Sequence, residues 1–222
     1  FPTRRSSDLA ELVKVNGELA EDPEERIATE NLILNVEGKD WEYHEKAYLA
    51  FNKPVNYECS HKTTHHPSVY SLLPAPFVER GLQCIGRLDY DTTGLLLISD
   101  DGQFIHKMTT PKKNIGKVYE ITTPDPMTPS QIEHLLNGVI LDDDPRPCYA
   151  TACKQVSDHI LAMTIVEGRY HQVKRMIAAV GNHVNQLHRA AIGAYVMPQD
   201  LAEGQWRWLG PEDLKHLSQS VG

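Results

Sequence analysis

The chain is short of aromatic residues, which make up 7% of its 222 positions and include four Phe and three Trp. Its four cysteines, Cys59, Cys84, Cys148 and Cys153, are scattered, and no two stand at a Cys-x-x-Cys spacing. Free thiols in a reducing cytoplasm are therefore expected. No apolar run approaches the ~20 residues that a membrane helix needs, and no signal-peptide pattern opens the chain. The expectation is a cytoplasmic protein with no membrane association. Internal repeats and low-complexity tracts are missing too. Basic charge is in deficit: 22 Lys and Arg against 30 Asp and Glu give a net charge of −8. Taken whole, that balance disfavours a nucleic-acid partner.

The distribution of charge reverses that argument. Residues 10–45 carry eleven acidic residues and three basic ones, a deficit equal to that of the entire chain. Residues 46–222 hold eighteen acids and seventeen bases, so the larger part is nearly neutral and can present a local basic surface. The length suits one sizeable domain with an appendage, or two modest ones.

What the chain does have is a dense charged turn, Gly86-Arg87-Leu88-Asp89-Tyr90-Asp91-Thr92-Thr93-Gly94, followed by Leu95-Leu96-Leu97-Ile98. The apolar run reads as a strand buried on both faces. Charge at the mouth of a buried strand costs several kcal/mol or so per ion if it is unpaired. A solvent-exposed Arg–Asp pair would cost and contribute little; a catalytic carboxylate would account for the cluster.

Phe1-Pro2-Thr3-Arg4-Arg5-Ser6-Ser7-Asp8-Leu9 has neither a helical nor a strand period and reads as a non-native segment. Residues 10–44 form a first unit in which 12–37 read as short strands, at 12–15 and 32–36, with Asn16-Gly17 as a hairpin turn and an acidic turn at residues 21–25. Trp41 and Tyr43 mark the junction with a larger domain over 45–222. There, a strand over 48–51 stops at Asn52-Lys53-Pro54, since proline cannot donate to a ladder. Residues 58–68, with His61, His65 and His66 near Cys59, match no zinc spacing and read as a solvated loop. One helical turn over 68–73 ends at Pro74 and Pro76.

Asp100 and Asp101 cap a helix that runs to about Met108, and Thr110-Pro111-Lys112-Lys113 forms a basic loop. Lys117-Val118-Tyr119-Glu120-Ile121-Thr122 alternates as a half-buried strand. Thr128-Pro129-Ser130-Gln131 is a helix start with a capping box, an apolar stripe of Ile132, Leu135 and Leu136, and Gly138 at its end. Residues 142–145 read as a solvated acidic turn, and 149–156 and 160–166 as paired strands. The second dense motif is Gly168-Arg169-Tyr170-His171-Gln172-Val173-Lys174-Arg175-Met176. Val173, Met176, Ile177 and Val180 fall at i, i+3, i+4 and i+7, so a helix runs from near Tyr170 to Gly181. Lys174 lies in its first turn, where a cation opposes the helix dipole unless an anion joins it. Strands over 194–197 and 206–209 and a helix over 211–218 close the chain.

Arg87-Leu88-Asp89 with Asp91-Thr92-Thr93-Gly94-Leu95, then Lys117-x-Tyr119, then Gly168 to Met176, resemble the RsuA/RluB/RluE/RluF group of bacterial rRNA pseudouridine synthases. Asn52-Lys53-Pro54 matches the group's first motif, and the resemblance spans about residues 46–210 in order. Within the group, Asp100-Asp101-Gly102-Gln103, His171-Gln172 and residues 178–184 look most like the members that modify small-subunit rRNA. Residues 12–37 resemble the end of an S4 RNA-binding domain without its two leading helices.

The resemblance implies an α+β pseudouridine synthase fold: a mixed, largely antiparallel central sheet flanked by helices, preceded by a truncated S4-like domain. It implies site-specific isomerisation of uridine in 16S rRNA by a monomer that needs no cofactor and no metal, on naked rRNA or an assembly particle. Asp89 would be the catalytic carboxylate, as nucleophile at the ribose or base at its 2′ position. Lys174 would pair with it and keep it ionised, Tyr119 would pack against the base, and Arg87 would fill the space left by the flipped nucleotide. Lys53, Lys112, Lys113, Arg169, His171, Gln172, Arg175 and Arg189 are the candidate RNA contacts. Asp91, two residues from Asp89, reads as a turn-shaping residue that bonds backbone amides. A sister specificity for 23S rRNA, a non-catalytic RNA-binding module and a two-carboxylate sugar hydrolase are the competing readings.

Overall fold

The computed structural model describes residues 13–20, 22, 24–36 and 38–219. The non-native segment expected over residues 1–9 lies outside them, as does Leu12 of the first expected strand. A four-stranded antiparallel front sheet comes first, built from β1 (Val13–Val15), β2 (Glu18–Leu19), β3 (Ile33–Val36) and β4 (Lys39–Glu42) in the order β2-β1-β3-β4. Asn16 and Gly17 both take positive φ, 50° and 90°, which is the geometry a tight two-residue hairpin demands. Trp41 belongs to β4 and meets Phe77 edge-on at 6.3 Å, so it joins the front sheet to the main body from within a strand.

The main body is a nine-stranded sheet with helices on both faces. In chain order it contains β5 (Tyr48–Lys53), α1 (Ala75–Glu79), β6 (Gln83–Ile85), β7 (Thr92–Ser99), α2 (Gly102–Thr109), β8 (Lys117–Thr122) and α3 (Pro129–Asn137). The hairpin β9 (Val139–Leu141) and β10 (Asp144–Cys148) follows, then β11 (Ala152–Ser157), β12 (Ile160–Ile165), α4 (Gln172–Ala179), β13 (Gln186–Ile192), β14 (Tyr195–Val196), β15 (Trp206–Trp208) and α5 (Pro211–Leu217). The strand order is β11-β12-β8-β13-β7-β5-β15, with β6 added on β7 and β14 on β13. Every pairing in it is antiparallel except β13 with β7, which are parallel. The expected mixed, largely antiparallel α+β architecture is what forms.

The central apolar run does serve two cores. Leu96 and Ile98 enter one cluster with Phe51, Val173, Met176 and Ile177, while Leu95 and Leu97 enter the other with Phe104, Met108 and Leu217. All four β7 residues are fully buried, each contributing about 1.5–3 kcal/mol of apolar transfer. Gly94, at φ 103°, lets β7 approach β13 closely: a Cβ there would stand 2.8 Å from the Arg189 backbone nitrogen.

Several local expectations change. Pro74 and Pro76 do not simply stop a helix; Leu73 ends a 3-10 turn, and the prolines open α1, where a missing N–H costs nothing. Leu136 is 40% exposed, so the stripe of α3 rests on Leu135 with partly buried Ile132. Residues 149–151 are irregular, and Asp144 starts a strand instead of ending a turn. The histidine-rich segment is organised, not merely solvated: Glu58 accepts the N–H groups of Thr64, His65 and His66, and His61 stacks on Tyr70 at 3.7 Å. β6 and the seven-residue β13 were not foreseen at all.

Candidate active site

A cleft of about 860 Å³ opens where the charged turn, the C-terminal end of β12 and the start of α4 converge. Asp89 sits in the loop between β6 and β7, and local sequence fixes its direction. Leu88 is 7% exposed and anchors the loop in the core, so its neighbours Arg87 and Asp89 are left on the cleft side, where both line the wall.

Two buried cations clamp this loop at its ends. Arg189, 1% exposed, donates from Nη2 to the Gly86 carbonyl at 2.8 Å and from Nε to the Leu95 carbonyl at 2.7 Å. Lys53, fully buried, donates to the carbonyls of Pro54, Tyr90 and Thr92 at 2.9, 3.2 and 2.9 Å. Burial pulls the Lys53 pKa below its ordinary value. Both residues were expected as RNA contacts. The structure corrects this, because each spends its donors on the loop carbonyls and has no surface to offer RNA.

The Asp89 carboxylate has an ammonium and an imidazole beside it. Lys174 Nζ stands 3.4 Å from Oδ2, and His171 Nε2 stands 3.4 Å from Oδ1. The expected Lys174–Asp89 pairing is present, but Lys174 makes a closer bond, 2.6 Å, to Asp91. Asp91 therefore shares the lysine, which corrects the expectation that its carboxylate would bond backbone amides. Burial alone would lower the Lys174 pKa; the Asp91 hydrogen bond and the charges of Asp89 and Asp91 outweigh it and hold the ammonium above its usual range. The two carboxylates also answer the helix-dipole problem posed by a lysine in the first turn of α4.

Tyr119, on β8, is 7% exposed and lines the cleft wall. Its hydroxyl accepts a 3.4 Å bond from Arg189, which also lies 5.9 Å from the ring centre. Arg87 is exposed at the rim, and Lys112 and Lys113 are exposed on a 3-10 turn beyond α2 whose first residue, Pro111, lines the cleft. The other expected RNA contacts are engaged within the protein. Gln172 is 4% exposed and accepts the Arg169 N–H. Arg169 bonds Glu167, Asp144 and the carbonyls of Arg146 and Pro147, and Arg175 pairs with Asp143. His171, expected as an RNA contact, stands instead beside the Asp89 carboxylate. It is held in the left-handed region at φ 49°, immediately before α4, and stacks on Tyr170 at 3.8 Å.

Sequence reasoning overlooked two ring pairs in the cleft wall: Tyr170 on His171, and Tyr90 on His66 at 4.4 Å and 9°. Tyr90 and Tyr170 are 48% and 74% exposed. A solvent-exposed tyrosine inside each dense motif was the available signal.

Comparison with known proteins agrees with this geometry. The family profile described as RNA pseudouridylate synthase matches residues 47–179. A protein of Haemophilus influenzae named ribosomal small subunit pseudouridine synthase A is 37% identical over 206 residues, 92% of this chain and 88% of that protein. Its Escherichia coli namesake is 37% identical over 202 residues, 91% and 87% of the two chains. A solved structure described as a crystal structure of pseudouridylate synthase is 36% identical, covers 95% of this chain and 90% of its own, and superposes with a TM-score of 0.74. The chain belongs to the RNA pseudouridylate synthase family. It is an RNA pseudouridine synthase.

Proposed function

We propose that this enzyme isomerises a uridine of small-subunit (16S) rRNA, with Asp89 as the reacting carboxylate. The observation that carries this reading is the placement of Asp89: a carboxylate at a cleft mouth, 3.4 Å from both Lys174 and His171, on a loop tied at both ends by buried cations. The names of the relatives supply the substrate class.

The reaction breaks the glycosidic bond of uridine, turns the freed uracil and rejoins it through carbon. Asp89 is suited either to attack the ribose or to take its 2′ proton. Lys174 and His171, each 3.4 Å from it, orient the carboxylate toward the cleft for either role. Tyr119 offers the detached base an apolar wall. The uridine must leave its stack to enter, at a cost of about a few kcal/mol. Tyr90 with His66, and Tyr170 with His171, give neighbouring bases surfaces on which to stack, which offsets that cost. Arg87 fills the vacated position, and Lys112 and Lys113 meet phosphates at the rim. The partner is rRNA, and the reaction belongs in the bacterial cytoplasm.

The test is to incubate the purified enzyme with matched fragments of 16S and 23S rRNA and map pseudouridine by mass-labelled sequencing. Modification at one position of the 16S fragment is expected. Modification confined to the 23S fragment would overturn the substrate assignment while leaving the reaction class intact.

A further inference from the structure

A second cavity, of about 370 Å³, lies well away from Asp89, between the front sheet and the main body. Its walls are aromatic. Phe77 meets Trp41, Trp206 and Trp208 edge-on, at 6.3, 4.7 and 5.3 Å, and the last two meet each other at 5.9 Å and 89°. None of the three tryptophans is fully buried. All three tryptophans of the chain line this one cavity: Trp206 and Trp208 pack against the core cluster that contains Phe77, and Trp41 belongs to neither cluster.

The rim is acidic. Asp40 and Glu42, both on β4, are exposed beside Trp41. The nearby cation Arg80 is already committed: it pairs with Asp100 at 2.7 Å and donates to the carbonyls of His44 and Glu45. Asp40 and Glu42 therefore leave the rim negative; His44 stands 3.4 Å from Glu42, and its ring packs on Trp208 at 3.8 Å. Tryptophan faces attract cations, arginine most often. A ring-lined slot could also accept a nucleobase. An attached phosphate would then lie against Asp40 and Glu42, a like-charge arrangement that costs binding.

We propose that this cavity docks a basic protein segment, with one arginine side chain inserted among Trp41, Trp206 and Trp208 and flanking basic residues over Asp40 and Glu42. The edge of the front sheet at Asp40 and Glu42 would thus face a positively charged protein. An enzyme that acts on RNA carrying bound basic proteins would gain a second hold on its substrate particle. The proposal does not depend on which residue performs the isomerisation.

The test follows tryptophan emission of the full chain during titration with a nonapeptide alternating arginine and glycine. A citrulline version of the peptide and a nine-nucleotide oligouridylate serve as comparisons. Saturable quenching by the arginine peptide is expected, weakened roughly tenfold by Trp41→Ala and several-fold by Glu42→Gln, and weakened again by raising salt. Both variants should keep wild-type isomerisation of the rRNA fragment, which shows they are folded, and Asp89→Asn should bind the peptide normally. Equal binding of the citrulline peptide, affinity unchanged in both variants, or quenching by oligouridylate alone would each overturn the proposal.

Discussion

Arg189 and Lys53 take positive charge into the core and bond mainly to carbonyl oxygens there. Replacing Arg189 by methionine would leave the Gly86 and Leu95 carbonyls without their donor and is expected to cost about 3 kcal/mol or more. The urea-unfolding midpoint should fall accordingly. A surface phosphate contact would instead leave the midpoint unchanged and weaken RNA binding. Individual residues were legible in the sequence where chemistry dictated them. The charged turn and Lys174 stood out because charge beside an apolar run and a lysine in a helix's first turn each require a partner; the choice of Asp89 over Asp91 came from the family resemblance. Lys53 and Arg189 were misread because a basic residue in a motif signals RNA only if it is exposed, and burial is set by strands distant in sequence. For Arg189 a cue did exist: Leu187, Arg189 and Ala191 alternate and are all buried.

At the scale of elements, β8 shows how a strand position retunes a side chain. Lys117 lies at its start and bonds the carbonyls of Ile115 and Val166 at 3.3 Å. Burial, with the Arg189 charge nearby, lowers its pKa from 10.5 to about 8. Between these two values the unfolded chain keeps a proton that the folded chain has released, so this group's contribution to stability rises with pH across that window. Below about pH 8 the penalty of burying a charged amine is fully present. Lys117→Met should therefore be more stable than the parent at pH 7, and its advantage should shrink steadily from pH 8 to 10. An advantage that stays constant in urea-unfolding measurements over that range would show that Lys117 is not depressed. Elements with a complete local code, such as β8 and the capped α3, could be read directly. β13 could not: its sequence, with Gln186, His188 and Arg189, is polar and earns its central place only by pairing with β7 and β8.

For the whole molecule, the two clusters of buried side chains draw on residues from Ala47 onward, and Leu32 is the one core residue ahead of them among the described positions. We expect a chain lacking residues 1–44 to unfold cooperatively in urea and to isomerise a short rRNA stem-loop; loss of the cooperative transition would show that the front sheet is part of the folding unit. The α+β class was legible from alternation and capping, whereas the tryptophan-lined cavity was not, since Trp41 and Trp208 are far apart in the chain. The central claim concerns Asp89, and the direct measurement is single-turnover pseudouridine formation by Asp89→Asn and Asp91→Asn beside the parent enzyme. Asp89→Asn should lower the rate by about 10³-fold or more with an unchanged urea midpoint. Asp91→Asn, which only releases Lys174 toward Asp89, should lower it by about tenfold or less. An Asp89→Asn enzyme working within tenfold of the parent, or an Asp91→Asn enzyme equally crippled, would contradict the assignment.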